Sequence, residues 1–469
     1  MKKTICLLGI ISCCIGVYPQ EQERVEILTA SEEKTLNISV DREYKTTIVL
    51  EAELSRLTLT DAIAEGLKNN FSILLARNNE QISNNNVTPG NAGMLPSVTL
   101  NGTATKGIAD SNMEFATGGS QDRTGAKSTN LNGNVALDWT IFDGLTMFAN
   151  YDRLKALQVV GRENFRSVLQ ETVAAIMTVY FDIVSRQQEL DAMKHILEIS
   201  RRRLRSANDL FQAGKVSKVD LLSAQVDYNA DTASYIQQTE GLRDAKIRIN
   251  QLLARDIDGD FRVADTIVID QTLIYGTILD KALSENPDVI ISRMEASAAG
   301  FTLKAAQGAR YPVVRITSSY VMAQQNSESG QISQNKSNTF NYGATASIPL
   351  FRGFNINREI KNAKLEKESA ELRYEEMRKA IETQVARAYS AYEVNRKLAL
   401  FETANLGLAA DNLDVSMERY RFGAISAIEL RDVQRSYISA TNRTIVAVYN
   451  AKVAETALKL LTGEVMAFD

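Results

Sequence analysis

Cysteine, histidine and proline are scarce in this sequence, and each scarcity excludes a class of protein. The 469 residues include 3 Cys, all within the first fourteen positions, 1 His and 6 Pro. The body of the chain therefore has no thiolate for a disulfide framework, a cysteine nucleophile or a cysteine metal site. The formal net charge of -4 gives no electrostatic reason to expect nucleic acid as a partner. Beyond the first twenty residues we find no apolar run that predicts a membrane-spanning helix.

The first twenty residues have the pattern of an export signal. Two lysines follow Met1, and Thr4–Val17 is apolar but too short to span a bilayer. We therefore interpret residues 1–20 as a signal peptide and residues 21–56 as an N-terminal extension. Two processing modes stay open: cleavage shortly before residue 21, or processing at a lipobox-like stretch that would make Cys13 a lipidated N-terminus.

A long internal repeat fills the rest of the chain. Leu67, Asn70 and Pro96 recur 216 residues later as Leu283, Asn286 and Pro312. A second set recurs 209 residues later, with Phe142, Gly144, Gly214, Ser217, Gln225 and Tyr228 reappearing as Phe351, Gly353, Gly423, Ser426, Gln434 and Tyr437. We predict a first repeat over residues 57–253, an equatorial segment between the repeats over 254–273, and a second repeat over 274–469.

Four segments alternate apolar and polar residues with the period of two that is typical of strands. Within residues 129–142 the apolar set is Leu131, Val135, Leu137, Trp139 and Ile141. The second repeat matches it with Phe340, Tyr342, Ala344, Ala346, Ile348 and Leu350. The upstream partner strands begin near Val98 and Val314. We expect a polar loop to join each pair of strands, at about residues 110–127 and 324–336.

Strands with one apolar and one polar face, in an exported protein, are typical of an outer-membrane β-barrel with a wet interior. A soluble antiparallel sheet with one face on a core explains any single strand equally well. Four strands are too few to close a barrel, because known barrels have about eight or more. If these strands lie in a membrane, several chains must share one barrel.

The remaining sequence predicts helices. Residues 145–212 and 355–421 contain no proline and almost no glycine, and their apolar residues recur at spacings of three and four. Each such helix would reach roughly 100 Å, and its apolar stripe must meet other helices. Shorter helices are predicted at about residues 59–84, 218–253, 274–308 and 427–461, where they would stack end to end along a long helix.

A turn with glycine and serine follows each long helix. Gly214 with Ser217, and Gly423 with Ser426, occupy matching positions of the two turns. Glycine suits the left-handed residue past a helix end, and serine suits the N-cap of the next helix. A generic helix connection explains either turn alone, but it explains less well the recurrence of the whole pattern. We therefore predict two helical hairpin tips.

These motifs, in this order, make residues 57–463 resemble the TolC-type outer-membrane efflux and secretion channels. The likeness is carried by the Leu57-Thr-Leu-Thr-Asp-Ala-Ile-Ala-Glu-Gly-Leu opening, the Leu95-Pro-Ser-Val-Thr-Leu strand start, the Ile141-Phe-Asp-Gly and Leu350-Phe-Arg-Gly strand exits, and both hairpin tips.

The resemblance implies a mainly α fold with a transmembrane β part. Four strands from each of three chains would form one twelve-stranded barrel among the outer-membrane lipids, continuing into a long periplasmic α-helical barrel. The implied partners of this homotrimer are a periplasmic adaptor (membrane fusion) protein and an inner-membrane RND or ABC pump. The implied docking positions for the adaptor are the hairpin tips, at Gly214, Ser217, Gly423 and Ser426.

The resemblance also implies a periplasmic gate. Glu429 and Asp432 hold positions where the family carries carboxylates that line the constriction. Being three residues apart they share a helix face, and a threefold axis would turn them into two rings that favour cations. The alternative is that acidic residues in the first turns of a helix only complement its dipole. Asp220 and Tyr420 match positions that the family uses for closed-state links.

One position departs from the family pattern. A basic residue often stands two places after the second tip glycine, where it helps to hold the tip closed, but this chain has Ile425 there. Arg421, Arg431 and Arg435 lie nearby as candidate replacements. The salt-bridge scheme of the family therefore does not transfer residue by residue.

The implied function is passive conduction, powered by the inner-membrane partner. Multidrug efflux, metal efflux and type I protein secretion all stay open as its purpose. The sequence has no phosphate loop and no metal-ligand spacing, and its single histidine, His195, lies midway along a long predicted helix. We therefore predict no enzymatic activity, cofactor or metal. The alternative function is a soluble periplasmic coiled-coil scaffold or adaptor without a pore.

Overall fold

The structure is a computed structural model that describes residues 56–263, 265–328, 332–422 and 424–465. The predicted signal peptide, Cys13, all of the predicted N-terminal extension except Arg56, and the tip residue Gly423 lie outside the described residues.

The described residues form eight helices and six strands. The helices are α1 Leu59–Asn69, α2 Phe71–Asn85, α3 Thr146–Gln212, α4 Lys218–Leu253, α5 Tyr275–Glu285, α6 Pro287–Gly308, α7 Asn355–Arg421 and α8 Ala427–Leu461. The strands are β1 Arg56–Leu57, β2 Ser97–Glu114, β3 Ser120–Phe142, β4 Arg262–Val263, β5 Val313–Ser327 and β6 Gln334–Ser347. The prediction of two long helices is confirmed within one residue at each end, since α3 and α7 each have 67 residues.

The prediction that no helix beyond the leader could span a bilayer was wrong for α3. This helix contains an 18-residue window with a mean hydropathy of 1.3, and within the described residues no other helix is both long and apolar enough. Inside the chain, 56% of that window is buried. The helix carries the fully buried Val173, Ile176 and Tyr180, which pack with Leu253 and Phe261. Packing in a protein core therefore accounts for its apolar character.

The single helices predicted before each pair of strands are in fact two helices, separated by an asparagine. Asn70 and Asn286 both have an extended backbone, with ψ of 125° and 128°. Each Oδ1 accepts hydrogen bonds from N–H groups that begin the next helix. Each Nδ2 donates to the end of a returning helix, at Leu252 O (2.8 Å) and at Leu461 O (3.1 Å). These bonds join the short helices end to end.

The four longer strands form one antiparallel sheet in the order β2-β3-β5-β6. The strands are longer than predicted, because β2 and β3 extend through most of residues 110–127, which we expected to form a loop. Only residues 115–119 separate them, and β5 and β6 similarly take up much of residues 324–336. Polar side chains and glycine suggested loops, but the backbone ladder of a hairpin continues whatever the polarity of its side chains.

Most of the large apolar side chains of the four strands lie on one face of the sheet. Opposite residues of an antiparallel ladder project to the same side. One row across the sheet joins Leu100 to Val135, Tyr320 and Phe340, and the next row toward the helices includes Val98 and Leu137. The exposed fraction is 78% for Leu100 and 63% for Phe340, so nothing else in the described chain covers this face.

Candidate functional site

The two hairpin tips are built in the same way. At the first tip, Gly214 has a φ of +70°, and its N–H donates to Phe211 O at 2.9 Å. Ser217 then caps α4 in a reciprocal capping box with Asp220. At the second tip, Ser426 caps α8 in the same way with Glu429. Gly423 lies outside the described residues.

The acidic side chains at the tips are exposed and locally anchored. Glu429 Oε2 accepts the Ser426 N–H at 2.8 Å, so this carboxylate takes part in the cap of α8. Asp432 lies one turn farther on and is exposed, whereas the neighbouring Leu430 is buried. Hydrogen bonds from the hydroxyl and the N–H of Ser217 hold the pKa of Asp220 below its ordinary value. Capping therefore does not remove the carboxylates from solvent.

A cavity of about 710 Å³ lies between the two tips. Asp220 of the first hairpin and Tyr420 of the second both line it, so the fold brings these two predicted residues together. The hydrogen bonds of the Asp220 carboxylate go to Ser217. The proposed role of these two residues in closed-state links stays a prediction.

Ile425, the position that departs from the family pattern, lines the same cavity and packs on an apolar cluster. The cluster contains Ile199 of α3, Leu413 of α7 and Leu430 of α8, which are 3–4% exposed. Apolar packing between the hairpins thus occupies the place at which the family often has a charge.

A buried group of charges, which we name the interhairpin cluster, lies deeper between the two hairpins. It consists of Arg203 on α3, Asp227 and Asp231 on α4, and Arg431 on α8. The Arg431 guanidinium binds both carboxylate oxygens of Asp231, at 3.0 and 3.1 Å, and lies 3.5 Å from Asp227. Arg203 in turn pairs with Asp227 at 2.9 Å. Two positive and two negative charges therefore balance across three helices.

Three of the four side chains of the interhairpin cluster are largely removed from solvent, and the fourth, Asp227, is 20% exposed. The side chains of Arg203 and Asp231 are each 8% exposed, and that of Arg431 is 11% exposed. Burial lowers the pKa of Arg431, but hydrogen bonding to Asp231 and the charges of Asp231 and Asp227 outweigh this effect and leave that pKa raised. The bidentate geometry is the strong form of an arginine–carboxylate pair.

Arg431 was predicted only as one of three candidates for the missing basic residue, and the other three members of the interhairpin cluster were not predicted. A comparison of the two repeats could have identified two of these residues. At the offset of 209 residues, Asp231 matches Ala440 and Arg431 matches Leu222. Charged residues that occur in only one copy of a repeat point to an interaction between the copies. Arg435 is exposed, and the side chain of Arg421 lies outside the described structure.

Comparisons with known proteins agree with this architecture. A family model described as outer membrane efflux protein matches residues 62–255 and 278–464. The chain is 21% identical over 424 residues to the outer membrane efflux protein BepC of Brucella suis, covering 90% of this chain and 88% of that protein. It is 24% identical over 332 residues to the protein CyaE of Bordetella pertussis, covering 70% of this chain and 69% of that protein.

Among solved structures, the fold is similar to the CmeC outer membrane channel of Campylobacter jejuni. The TM-score is 0.72 at 17% sequence identity, and the alignment covers 87% of this chain and 85% of that one. At 17% sequence identity, this structural similarity establishes the fold alone.

Proposed function

The chain belongs to the outer membrane efflux protein family, and from this membership we propose that it is the outer-membrane channel subunit of a tripartite export system. The family and its structural neighbours are outer-membrane transport channels. In our proposal the channel conducts passively, while an adaptor and an inner-membrane pump supply substrate and energy.

The four-stranded sheet is the observation that carries this proposal. Its apolar face is exposed, and among the described residues its edge strands β2 and β6 each pair on one side only. A bilayer core offers no water to satisfy the free N–H and C=O groups of such edges, so the sheet must close with other copies. Three copies would give an even-numbered barrel of twelve strands. The same exposed face argues against the soluble scaffold.

The second long helix supports a shared assembly independently. Its Val394, Phe401, Leu408 and Val415 recur every seven residues, and their exposed fractions run from 54% to 72%. A heptad stripe of this kind needs a facing helix to bury it. We infer that a neighbouring copy supplies that helix, as a homotrimeric helical barrel would.

The hairpin tips are the proposed docking positions for the adaptor. Gly214 with Ser217, and Gly423 with Ser426, fall at the far ends of the long helices from the sheet along the chain. The cargo depends on the pump that the adaptor recruits, so drug efflux, metal efflux and protein secretion remain candidates.

Membrane fractionation and conductance measurements test the channel proposal. We expect a trimer in the outer-membrane fraction that dissociates on heating and resists carbonate washing. The purified trimer should form ion-conducting pores in planar bilayers. Recovery as a monomer in the soluble periplasmic fraction, or a trimer that never conducts, would refute the proposal.

Neutralising the two tip carboxylates tests the proposed cation ring. We expect Glu429→Gln with Asp432→Asn to weaken block of the pore by divalent cations by about tenfold and to raise its conductance. The loss of six charges in the trimer removes the attraction for a cation. Glutamine at position 429 keeps the capping box, so this variant separates the charge from the cap.

Ser426→Ala is the matched control for the ring, because it removes the cap while keeping both carboxylates. It should leave cation block close to that of the wild type. Equal block in the charge-neutral variant and the wild type would show that these carboxylates act only at the helix end.

A further inference from the structure

We propose that a groove on the apolar face of the sheet binds a phosphorylated lipid of the outer leaflet, with Lys336 on its phosphate. This inference rests on the proposed function, in which that face meets the bilayer.

Two adjacent rows of side chains form the groove, which has a volume of about 530 Å³. One row runs Gly102, Gly133, Met322 and Asn338, and the next runs Ala104, Leu131, Gln324 and Lys336. The row between them, with Thr103 and Asn132, directs its side chains to the opposite face, because strand residues alternate. Only the backbone of that row therefore reaches the floor of the groove.

A pair of glycines opens the groove. Gly102 and Gly133 lie directly opposite each other on β2 and β3. Neither has a positive φ, and a Cβ added at either would meet no atom of the described residues within 4 Å. Side chains would be accepted there, so backbone strain does not require these glycines. Their effect is a depression beside the exposed Met322 and Leu131, which suits an acyl chain.

The groove lies at the outer edge of the continuous apolar rows, and the exposed Ile108 stands apart from them, two rows farther out. The rows of Trp139 and Leu131 are eight residues apart, which is a distance of about 27 Å along the strand. With the tilt of barrel strands this spans roughly 20 Å, close to the apolar band of about 25 Å in outer-membrane barrels. The next row outward holds Lys106 and Asn326. Lys336 and Gln324 therefore lie at the outer boundary of the lipid-facing band.

The charge at this boundary selects an anionic headgroup. Lys336 and Lys106 are exposed, and within the described ranges neither forms an ion pair. Lys336 lies near the start of β6, beside the turn that joins β5 to β6, and Lys106 lies midway along β2. A lysine at the edge of an apolar groove matches a lipid whose acyl chain enters the groove and whose phosphate stays at the interface.

Native mass spectrometry of the purified trimer tests this proposal, with bisphosphorylated lipid A and zwitterionic phosphatidylethanolamine as the probes. The wild type should prefer lipid A. Lys336→Ala should weaken lipid A binding by about tenfold and phosphatidylethanolamine binding much less, because the ammonium group of phosphatidylethanolamine already offsets the charge of its phosphate. Gly133→Leu should fill the groove and weaken the binding of both lipids, and Gly102→Val is a second variant with the same expected effect.

Ala344→Leu is the matched control, since it enlarges a lipid-facing residue in the row of Ile316, outside the groove. It should bind both lipids as the wild type does. Equal affinity of the wild type for the two lipids, unchanged lipid A binding in Lys336→Ala, or an equal loss in Ala344→Leu and Gly133→Leu would overturn the proposal. The same trimers are also tested for conductance. If the trimers conduct but show no lipid preference, only the groove proposal is refuted. If no trimer forms, or if the trimers do not conduct, the channel proposal is refuted as well.

Discussion

Arg431→Ala is expected to separate the two hairpins and to raise the conductance of the resting channel. The substitution removes both hydrogen bonds to Asp231 and the ion pair with Asp227. Removing one partner of a buried ion pair costs about 3–5 kcal/mol, because the remaining charge keeps its desolvation penalty. Arg203 still compensates Asp227, so we expect about 3 kcal/mol, the lower end of that range.

Two measurements on purified trimers check this expectation: single-channel conductance in planar bilayers and the temperature at which the trimer dissociates. Arg435→Ala is the matched control, because Arg435 is an exposed arginine one turn farther along α8. It makes the same change in charge without touching the interhairpin cluster. If the two alanine variants behaved alike, the cluster would not hold the hairpins together.

A double substitution tests whether the single variant loses stability because Asp231 is left buried without its arginine partner. Asp231→Ala with Arg431→Leu introduces the residues that occupy the matching positions of the other repeat, Ala440 and Leu222. Apolar replacement of a buried ion pair is often neutral or stabilising. We therefore expect the double variant to regain thermal stability that the single variant loses. A double variant less stable than Arg431→Ala would contradict this account.

Gly144→Ala should strongly reduce the amount of assembled protein in the outer membrane. Gly144 lies just after the end of β3, and its φ is +70°. This left-handed backbone conformation costs an alanine about 1–2 kcal/mol. An added Cβ would also lie 2.2 Å from Gly308 O and 2.8 Å from Tyr311 Cβ. The contacted atoms belong to the backbone and to a Cβ, so the start of α3 must move away from α6. We expect about 3 kcal/mol in total.

Gly353→Ala is the natural control for this prediction. Gly353 is the matching residue of the second repeat, with a φ of +59°, but an added Cβ would meet no atom of the described residues within 4 Å. Gly353→Ala should therefore lose only the stability that the left-handed backbone conformation costs an alanine. Trimer levels in isolated outer membranes, compared by heat-modifiable gel mobility, measure both variants. Equal levels for the two would show that the contact between Gly144 and Gly308 is unimportant.

Periodicity in the sequence was enough to predict the long elements. The bounds of α3, α7, α4 and α8 fall within one residue of those predicted, because an apolar pattern over many turns averages out local exceptions. The alternating faces of the strands were equally predictable. The caps at Ser217 and Ser426 were too, because a capping box involves residues only three apart.

The ends of the strands and the breaks in the short helices were not predictable in this way. Asparagine is tolerated inside a helix, and the extended backbone of Asn70 is supported by a carbonyl, Leu252 O, that is 182 residues away in the chain. The strands continue through polar residues because their partners are already aligned.

The sequence by itself determined the long helices, the apolar face of the strands and the two hairpin tips, since these depend on neighbours a few residues apart. Only the tertiary structure decided that Arg431 meets Asp231, that Gly144 approaches Gly308, and that two glycines open a groove beside Lys336. The physical reason is that these contacts join residues far apart in the chain, whose distances are fixed by how the helices and strands pack and by the register of the sheet.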